Sequence, residues 1–400
     1  MNNKVLLAFS GGLDTTYCAI YLSKTLGMEV HAVTVNTGGF SDAEIQSIAA
    51  RADALGVTSF RCIDVTRSYY DDCIRFLVYG NVLKNGTYPL SVSAERIIQA
   101  MTIADYALES GIENIAHGST GAGNDQVRFD MIFRAMLPQA TIITPIRDQR
   151  LSREAEIDFL KQHGVEMNFE KAKYSINKGL WGTSVGGKET LTSRGYLPEE
   201  AWPTPATATE PQTLELLFDK GEIVALNGQR FDHPALLIQQ LQEIAQPYGI
   251  GRDIHVGDTI IGIKGRVGFE AAAPVIIIKA HQLLEKHTLT KWQIYWKEQL
   301  ATFYGNWLHE GQLLDPVMRN MESFLESSQE TVSGTVFVKL EPYRFTLLGI
   351  ESPHDLMNSA FGSYGEMNNG WTGEDVKGFT QIFGNQVSIF NKVNKLKKVD

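Results

Sequence analysis

The chain has 400 residues, 43% of them apolar and 20% charged, with a formal charge of −10. That composition excludes a disordered or fibrous protein and leaves room for two large domains of about 100–200 residues each. The acidic balance, without a basic tract, excludes a surface built to neutralise nucleic-acid phosphates, and Cys18, Cys62 and Cys73, lacking CxxC spacing, offer neither a disulfide framework nor a zinc site.

The N-terminal apolar run is only a strand long, with no signal-peptide h-region, and no stretch has the length of a transmembrane helix. A cytoplasmic location is therefore expected. Val5 to Phe9 has the continuous apolar pattern of a strand buried on both faces, and Asp14 to about Leu26 has helical length. Val30 to Val35 forms a second strand, followed by a helix from Ala43 to Leu55 capped by Ser41. Ile112 to Ala116 and Ala140 to Ile143 repeat the buried-strand theme, and this alternation predicts a doubly wound parallel sheet through about residue 165.

Beyond it, Tyr196 to Pro211 reads as an extended, proline-rich loop. Leu214 to Phe218 with Ile223 to Leu226, and Gly334 to Leu340 with Phe345 to Gly349, read as hairpins. Helical spacing returns in Ile276 to Leu284 and in Trp292 to Leu308, so the second domain is mixed α+β. Val387 to Leu396 is a candidate terminal helix. The predicted division is 1–165, 166–364 and 365–400.

The chemistry concentrates in Ser10-Gly11-Gly12-Leu13-Asp14-Thr15, where a buried strand turns into a helix and backbone N–H groups converge. Such a point attracts phosphate. Glycines 11 and 12 permit close backbone approach, Ser10 and Thr15 add hydroxyls, and Asp14 is placed to hold Mg2+ or orient the turn. It is not a Walker A loop. Gly182 to Lys188 matches that loop's spacing, but Glu189 stands where a Ser or Thr must meet magnesium, so the segment reads as a substrate loop.

The SGG-x-D-[ST] turn after an N-terminal strand resembles the PP-loop of the ATP pyrophosphatases. A second run, His117-Gly118-Ser119-Thr120-Gly121-Ala122-Gly123-Asn124-Asp125-Gln126-Val127-Arg128-Phe129, joined to AFSGGLDT, resembles argininosuccinate synthase. The resemblance covers most of the chain. It implies an adenine nucleotide alpha hydrolase-like PP-loop domain, a second α+β synthetase domain and a C-terminal oligomerisation tail in a homotetramer. It also implies an ATP-dependent, AMP-forming carbon–nitrogen ligase of arginine biosynthesis. ATP contacts then fall on Ala8, Phe9, Ser10, Gly11, Gly12, Leu13, Asp14, Thr15, Thr16, Val35 and Gly118. Aspartate contacts fall on Thr120, Asn124 and Asp125, and citrulline contacts on Tyr88, Ser93, Asn124, Arg128, Ser175 and Ser184, with Arg96 also at the substrate. Ser10, Asp14, Asn124, Asp125 and Arg128 carry the catalytic roles, which are mainly placement and charge stabilisation.

The resemblance breaks where the family holds the amino-acid end of citrulline. The family's two acids fall on Gly186 and Gly257, and its nearby Tyr on Phe269; Val92 and Ala122 also differ from common family residues. Asp258, one position away, offers a replacement acid. The alternative is a substrate without an α-ammonium, an N-acylated citrulline such as the N-acetyl or N-succinyl form, with Lys188 meeting an acidic acyl group. Another PP-loop ligase, tRNA-thiolating or GMP-forming, would share the first loop, but the second motif argues against it. A non-enzymatic relative would be expected to lose Ser10, Asp14, Asn124 or Arg128, and all four remain.

Overall fold

The computed structural model describes residues 3–165, 174–358, 364–366 and 370–394. Five parallel strands open the chain: β1 Lys4–Ala8, β2 Glu29–Asn36, β3 Ser59–Asp64, β4 Asn114–Ala116 and β5 Thr141–Ile143. Their order in the sheet is β3-β2-β1-β4-β5. The chain thus winds outward from β1 on one side, then returns to its other side through β4. The switch point lies between β1 and β4, and the ends of these two strands open the crevice where such sheets bind ligands.

The apolar run of β1 is explained by helices on both faces. Val5 and Leu7 join one core with Cys18, Ile20 and Leu160, while Leu6 joins the other with Ile97 and Ile115. Each fully buried Leu of this kind contributes roughly 1.5–3 kcal/mol. The helix Leu13–Ile20 continues as a π-helical turn, Tyr21–Thr25, so helical structure covers nearly the predicted length. Ser41 caps the helix Asp42–Ala54 in a reciprocal box with Glu44. β3 was not anticipated. At the sheet edge it is only half-buried and carries Arg61 and Asp64, so it lacks the continuous apolar signature.

The remaining strands are β6 Ser175–Gly179, β7 Gly182–Gly186, β8 Gln212–Asp219, β9 Glu222–Leu226, β10 Gln229–Arg230, β11 Arg252–Asp258, β12 Lys264–Glu270, β13 Gly334–Glu341 and β14 Arg344–Glu351. They form two antiparallel sheets, β11-β12-β7-β6 and β10-β9-β8-β13-β14. The two predicted hairpins are β8–β9 and β13–β14, and the two predicted helices are Ala272–Thr288 and Lys291–His309. The segment at Gly182 is a strand rather than a loop. Ser175 and Ser184 therefore sit on paired strands. Tyr196 to Pro211 is irregular apart from one 3-10 turn, Glu199–Ala201.

Residues through His354 form one compact unit, and a second begins at Asp355. The expected division at 165/166 falls within the first unit, beside residues 166–173, which lie outside the described residues. In the second unit a helix Gly373–Phe383 precedes Asn385–Asn394, and positions 395 and 396 of the predicted terminal helix lie outside the described residues. Among the described residues, no helix is long and apolar enough to cross a membrane.

Candidate active site

The turn after β1 is the first wall of the site. Gly11 adopts φ +72°, and no side chain caps the helix that follows, so the first-turn N–H groups remain open to a ligand. Ser10 Oγ and Thr15 Oγ1 lie 3.3 Å apart, and Gly12 N–H reaches Ser10 Oγ at 3.4 Å. Arg51 donates to the Gly11 carbonyl from the adjacent helix. Asp14 touches Glu156 of the helix Arg153–Gln162, a side chain only 3% exposed. Burial, then the neighbouring Asp14 charge and the hydrogen bond to it, push the Glu156 carboxyl up to about 8. Burial also raises Asp14, so the pair holds a proton between them.

The second wall follows β4. Gly118 passes so close to the first turn that a Cβ there would meet Asp14 backbone and Cβ at 3.2 Å. His117 accepts the Ser119 N–H on Nδ1 at 3.3 Å, which places the ring proton on Nε2, donated to Asp130 Oδ1 at 3.0 Å. Asp130 Oδ2 in turn accepts from Arg147 at 3.0 Å. Asn124 opens the helix Asp125–Met136, and its Oδ1 accepts the Ile260 N–H of the β11–β12 hairpin at 2.8 Å.

The third wall belongs to the helix Ser91–Ser110 and the loop before it. Trp181, fully buried, donates to the Pro89 carbonyl at 2.9 Å and anchors that loop against the β6–β7 turn. Tyr88 OH accepts from Val92 N–H at 3.1 Å and from Ser91, which leaves its own proton to give. Arg128 is 3% exposed and gives its guanidinium to Asp125, Ser93 Oγ and the His309 carbonyl at 2.9–3.1 Å. Arg96 binds Asp125 Oδ2 at 3.1 Å and Asn177 Oδ1 at 2.7 Å, and Asn177 reaches Ser184 Oγ at 3.3 Å.

One cavity of about 1110 Å³ joins these walls. The phosphate turn lines one part of it, and Tyr88, Ser93, Arg128, Ser175 and Ser184 line another, with Thr120, Asn124 and Asp125 also on its wall. The structure thus brings most of the expected residues to one place. Thr16 is buried and lies off the wall, and Gly11 faces a small adjoining hollow with Ile48 and Arg51.

Residues 4–166 match the model of the arginosuccinate synthase N-terminal HUP domain, and residues 174–390 match that of the arginosuccinate synthase C-terminal domain. This chain belongs to the argininosuccinate synthase family. It is 35% identical over 400 residues to the argininosuccinate synthase of Methanocaldococcus jannaschii, covering 99% of this chain and 100% of that one. The argininosuccinate synthase of Xylella fastidiosa is 35% identical over 406 residues, with 98% of each chain covered. That of Dictyoglomus thermophilum is 33% identical over 390 residues, with 97% of each covered. Members of this family are ATP-dependent ligases, and the parallel sheet is the family's HUP, or PP-loop, domain.

The three positions expected from the sequence to depart from the family, Gly186, Gly257 and Phe269, lie in different surroundings. Gly257 lines the cavity; Gly186 does not, and a Cβ there would find only Ser175 at 3.8 Å. Phe269 is fully buried against Tyr88, ring centroids 5.3 Å apart, so it backs the wall without lining the cavity. Lys188 is exposed and off the wall, which removes the role expected for it toward an acidic acyl group.

Sequence reasoning missed His255 and His309. His255 stacks on Tyr88 at 5.0 Å, and burial with the Lys84 charge lowers it to about 4. His309 closes the helix Lys291–His309 and is lowered to about 3 by burial and by the Arg128 and Lys84 charges. His309 lies near no motif, and His255 stands two positions before Gly257 in a segment singled out for its glycine rather than its histidine. His117 and Arg153 also line the cavity. The first begins the second motif; the second sits in an ordinary helix start.

Proposed function

We propose that this chain adenylylates a ureido substrate with ATP and joins it to aspartate, yielding argininosuccinate, AMP and diphosphate from citrulline. The observation that carries the reading is that the open helix N-terminus of the phosphate turn and the Tyr88–Ser93–Arg128 wall share one cavity. The ureido oxygen attacks the α-phosphorus, the bond to the bridging β-phosphate oxygen breaks, and pyrophosphate leaves. The aspartate amine, its proton lost to solvent, then bonds to the ureido carbon as AMP departs.

Backbone N–H groups at residues 10–15 stabilise the charge that grows on the phosphates, and Arg128 with Ser93 orients the amino-acid end. Thr120, Asn124 and Asp125 hold aspartate. Mg2+ would be held chiefly by the ATP phosphates, and Asp14 beside the turn is the carboxylate that would join it on giving the proton it shares wholly to Glu156. We place the enzyme in the cytoplasm as a homotetramer.

A second reading has an N-acylated citrulline in place of citrulline. It is favoured by one observation: the acids at this end are committed, Asp125 to Arg96 and Arg128, and Asp258, exposed, to Lys264 at 2.7 Å. The test of the common chemistry is product formation from Mg-ATP. Pyrophosphate must require a ureido substrate, and release of AMP must require aspartate as well; pyrophosphate formed without any ureido compound would sink the reading.

A further inference from the structure

His255 and His309 are both more than nine-tenths buried, and both line the cavity at its Ser93–Arg128 end. Ser93 Oγ accepts from Arg128 at 3.0 Å, so its own proton is free to go to His309 Nδ1, 3.0 Å away. Arg128 also points a donor at that nitrogen, at 3.3 Å. Nδ1 is therefore the acceptor of the neutral ring, and Nε2 carries the hydrogen. Nε2 is buried and makes no hydrogen bond of normal geometry, the Asp258 backbone being the one polar group among the described residues that faces it. A buried donor left unmade is costly unless a ligand completes it.

His255 is the second half of the arrangement. Its ring lies flat against Tyr88, and its Nδ1 is likewise buried without a partner. The ring occupies the space over residue 257, where a Cβ would come within 2.5 Å of its Nε2. Gly257 and His255 thus depend on each other: a side chain at 257 would drive the imidazole away from Tyr88.

We propose that His309 and His255 form an acyl subsite that receives the amide on the α-nitrogen of the ureido substrate. His309 Nε2–H donates to the acyl carbonyl oxygen, and His255, packed on Tyr88 above Gly257, flanks the amide. An α-ammonium suits this place badly, because it would meet a ring N–H and the Arg128 charge, and the carboxylate beside them, Asp125, is already paired with Arg96 and Arg128. The proposal rests on the ligase reading and deepens its second form.

The experiment compares pyrophosphate release from Mg-ATP and aspartate with citrulline, N-acetylcitrulline and N-succinylcitrulline, for the full-length protein and for His309→Phe, His309→Gln and His255→Phe. The native chain is expected to favour one or both acylated substrates by at least about tenfold in kcat/KM, the range a made or unmade hydrogen bond supplies. His309→Phe is expected to cut that preference by about tenfold, and His309→Gln, which keeps an N–H donor, to retain most of it. His255→Phe keeps the stacked ring but not the nitrogens, and is expected to weaken the preference. A comparable response to N-acetyl and N-succinyl substrates assigns recognition to the amide itself; a clear advantage for succinyl adds its carboxylate to the recognised group. Preference of the native chain for citrulline, or an unchanged preference in His309→Phe, overturns the subsite while leaving the ligase reading intact. Absence of pyrophosphate with all three substrates overturns both.

Discussion

Asp125 Oδ1 and Arg128 Nη1 lie 3.1 Å apart, one turn from each other on a single helix, and the other Asp125 oxygen binds Arg96 at the same distance. Burial pushes the Asp125 carboxyl up, but Arg96 and Arg128 outweigh it and hold the group below the ordinary carboxylate range. Its charge is therefore committed to placing two guanidiniums, and it does not serve as a base.

Asp125→Asn removes the charge that compensates Arg128. Arg128 is buried but the Asp125 side chain is 36% exposed, so solvent screens the loss to about 1 kcal/mol, while misplacing a reacting group costs about 10² in rate. Urea denaturation and pyrophosphate release measure the two effects. The sign with pH is fixed: a depressed carboxyl contributes stability above 3.8 that is lost as pH falls through its folded value, so the variant has a flatter acid limb than the native protein.

Glu156 behaves in the opposite sense. Its folded value is raised to about 8 from 4.5, so the native state keeps a proton that the unfolded chain gives up. The contribution of Glu156 to stability is fully present below 4.5 and is lost as pH rises through about 8. Glu156→Gln, which cannot ionise, is expected to remove that decline, with a higher Tm than the native chain above about pH 8 and little difference below 4.5. An equal slope in the two proteins would show that Glu156 ionises normally.

Gly118→Ala tests the contact between the two walls. The added methyl meets the Asp14 backbone at 3.2 Å, tighter than ordinary packing, and Asp14 begins the helix that presents its N–H groups to phosphate. Overpacking of this kind costs about 1–3 kcal/mol, and relief requires the turn at residues 10–15 to shift. The expected result is a raised KM for ATP, larger than any change in KM for aspartate.

The sequence was most legible where local pattern and chemistry coincide. The turn at residues 10–15 and the run at 117–129 announce themselves because each follows a buried strand, and the sheet order brings their ends together. Strand β3 was hidden because an edge strand with Arg61 and Asp64 has no apolar run to detect. Ser184 looked like a loop serine because Gly182, Gly186 and Gly187 suppress the strand signal; pairing with β6 and β12 supplies what propensity does not. His255 and His309 were invisible for a different reason. They are 54 positions apart in the sequence and share a wall only because the β11–β12 hairpin and the end of the helix Lys291–His309 line the same cavity.

Asp130 offers a last test, since it lies off the cavity wall and acts through His117. One oxygen accepts the His117 ring proton and the other accepts from Arg147, so the loop that begins at Gly118 hangs from this chain of three side chains. Asp130→Ala is expected to lower kcat/KM for aspartate by about tenfold, the size of effect that loss of an outer orienting partner produces, with a smaller change for ATP. Asp130→Asn still offers an oxygen to His117 and should recover part of the loss. If both variants alter KM for ATP and aspartate alike, the three residues merely stabilise the fold, and the loop is positioned by the Gln126 contact with the Gly121 carbonyl at 2.6 Å instead.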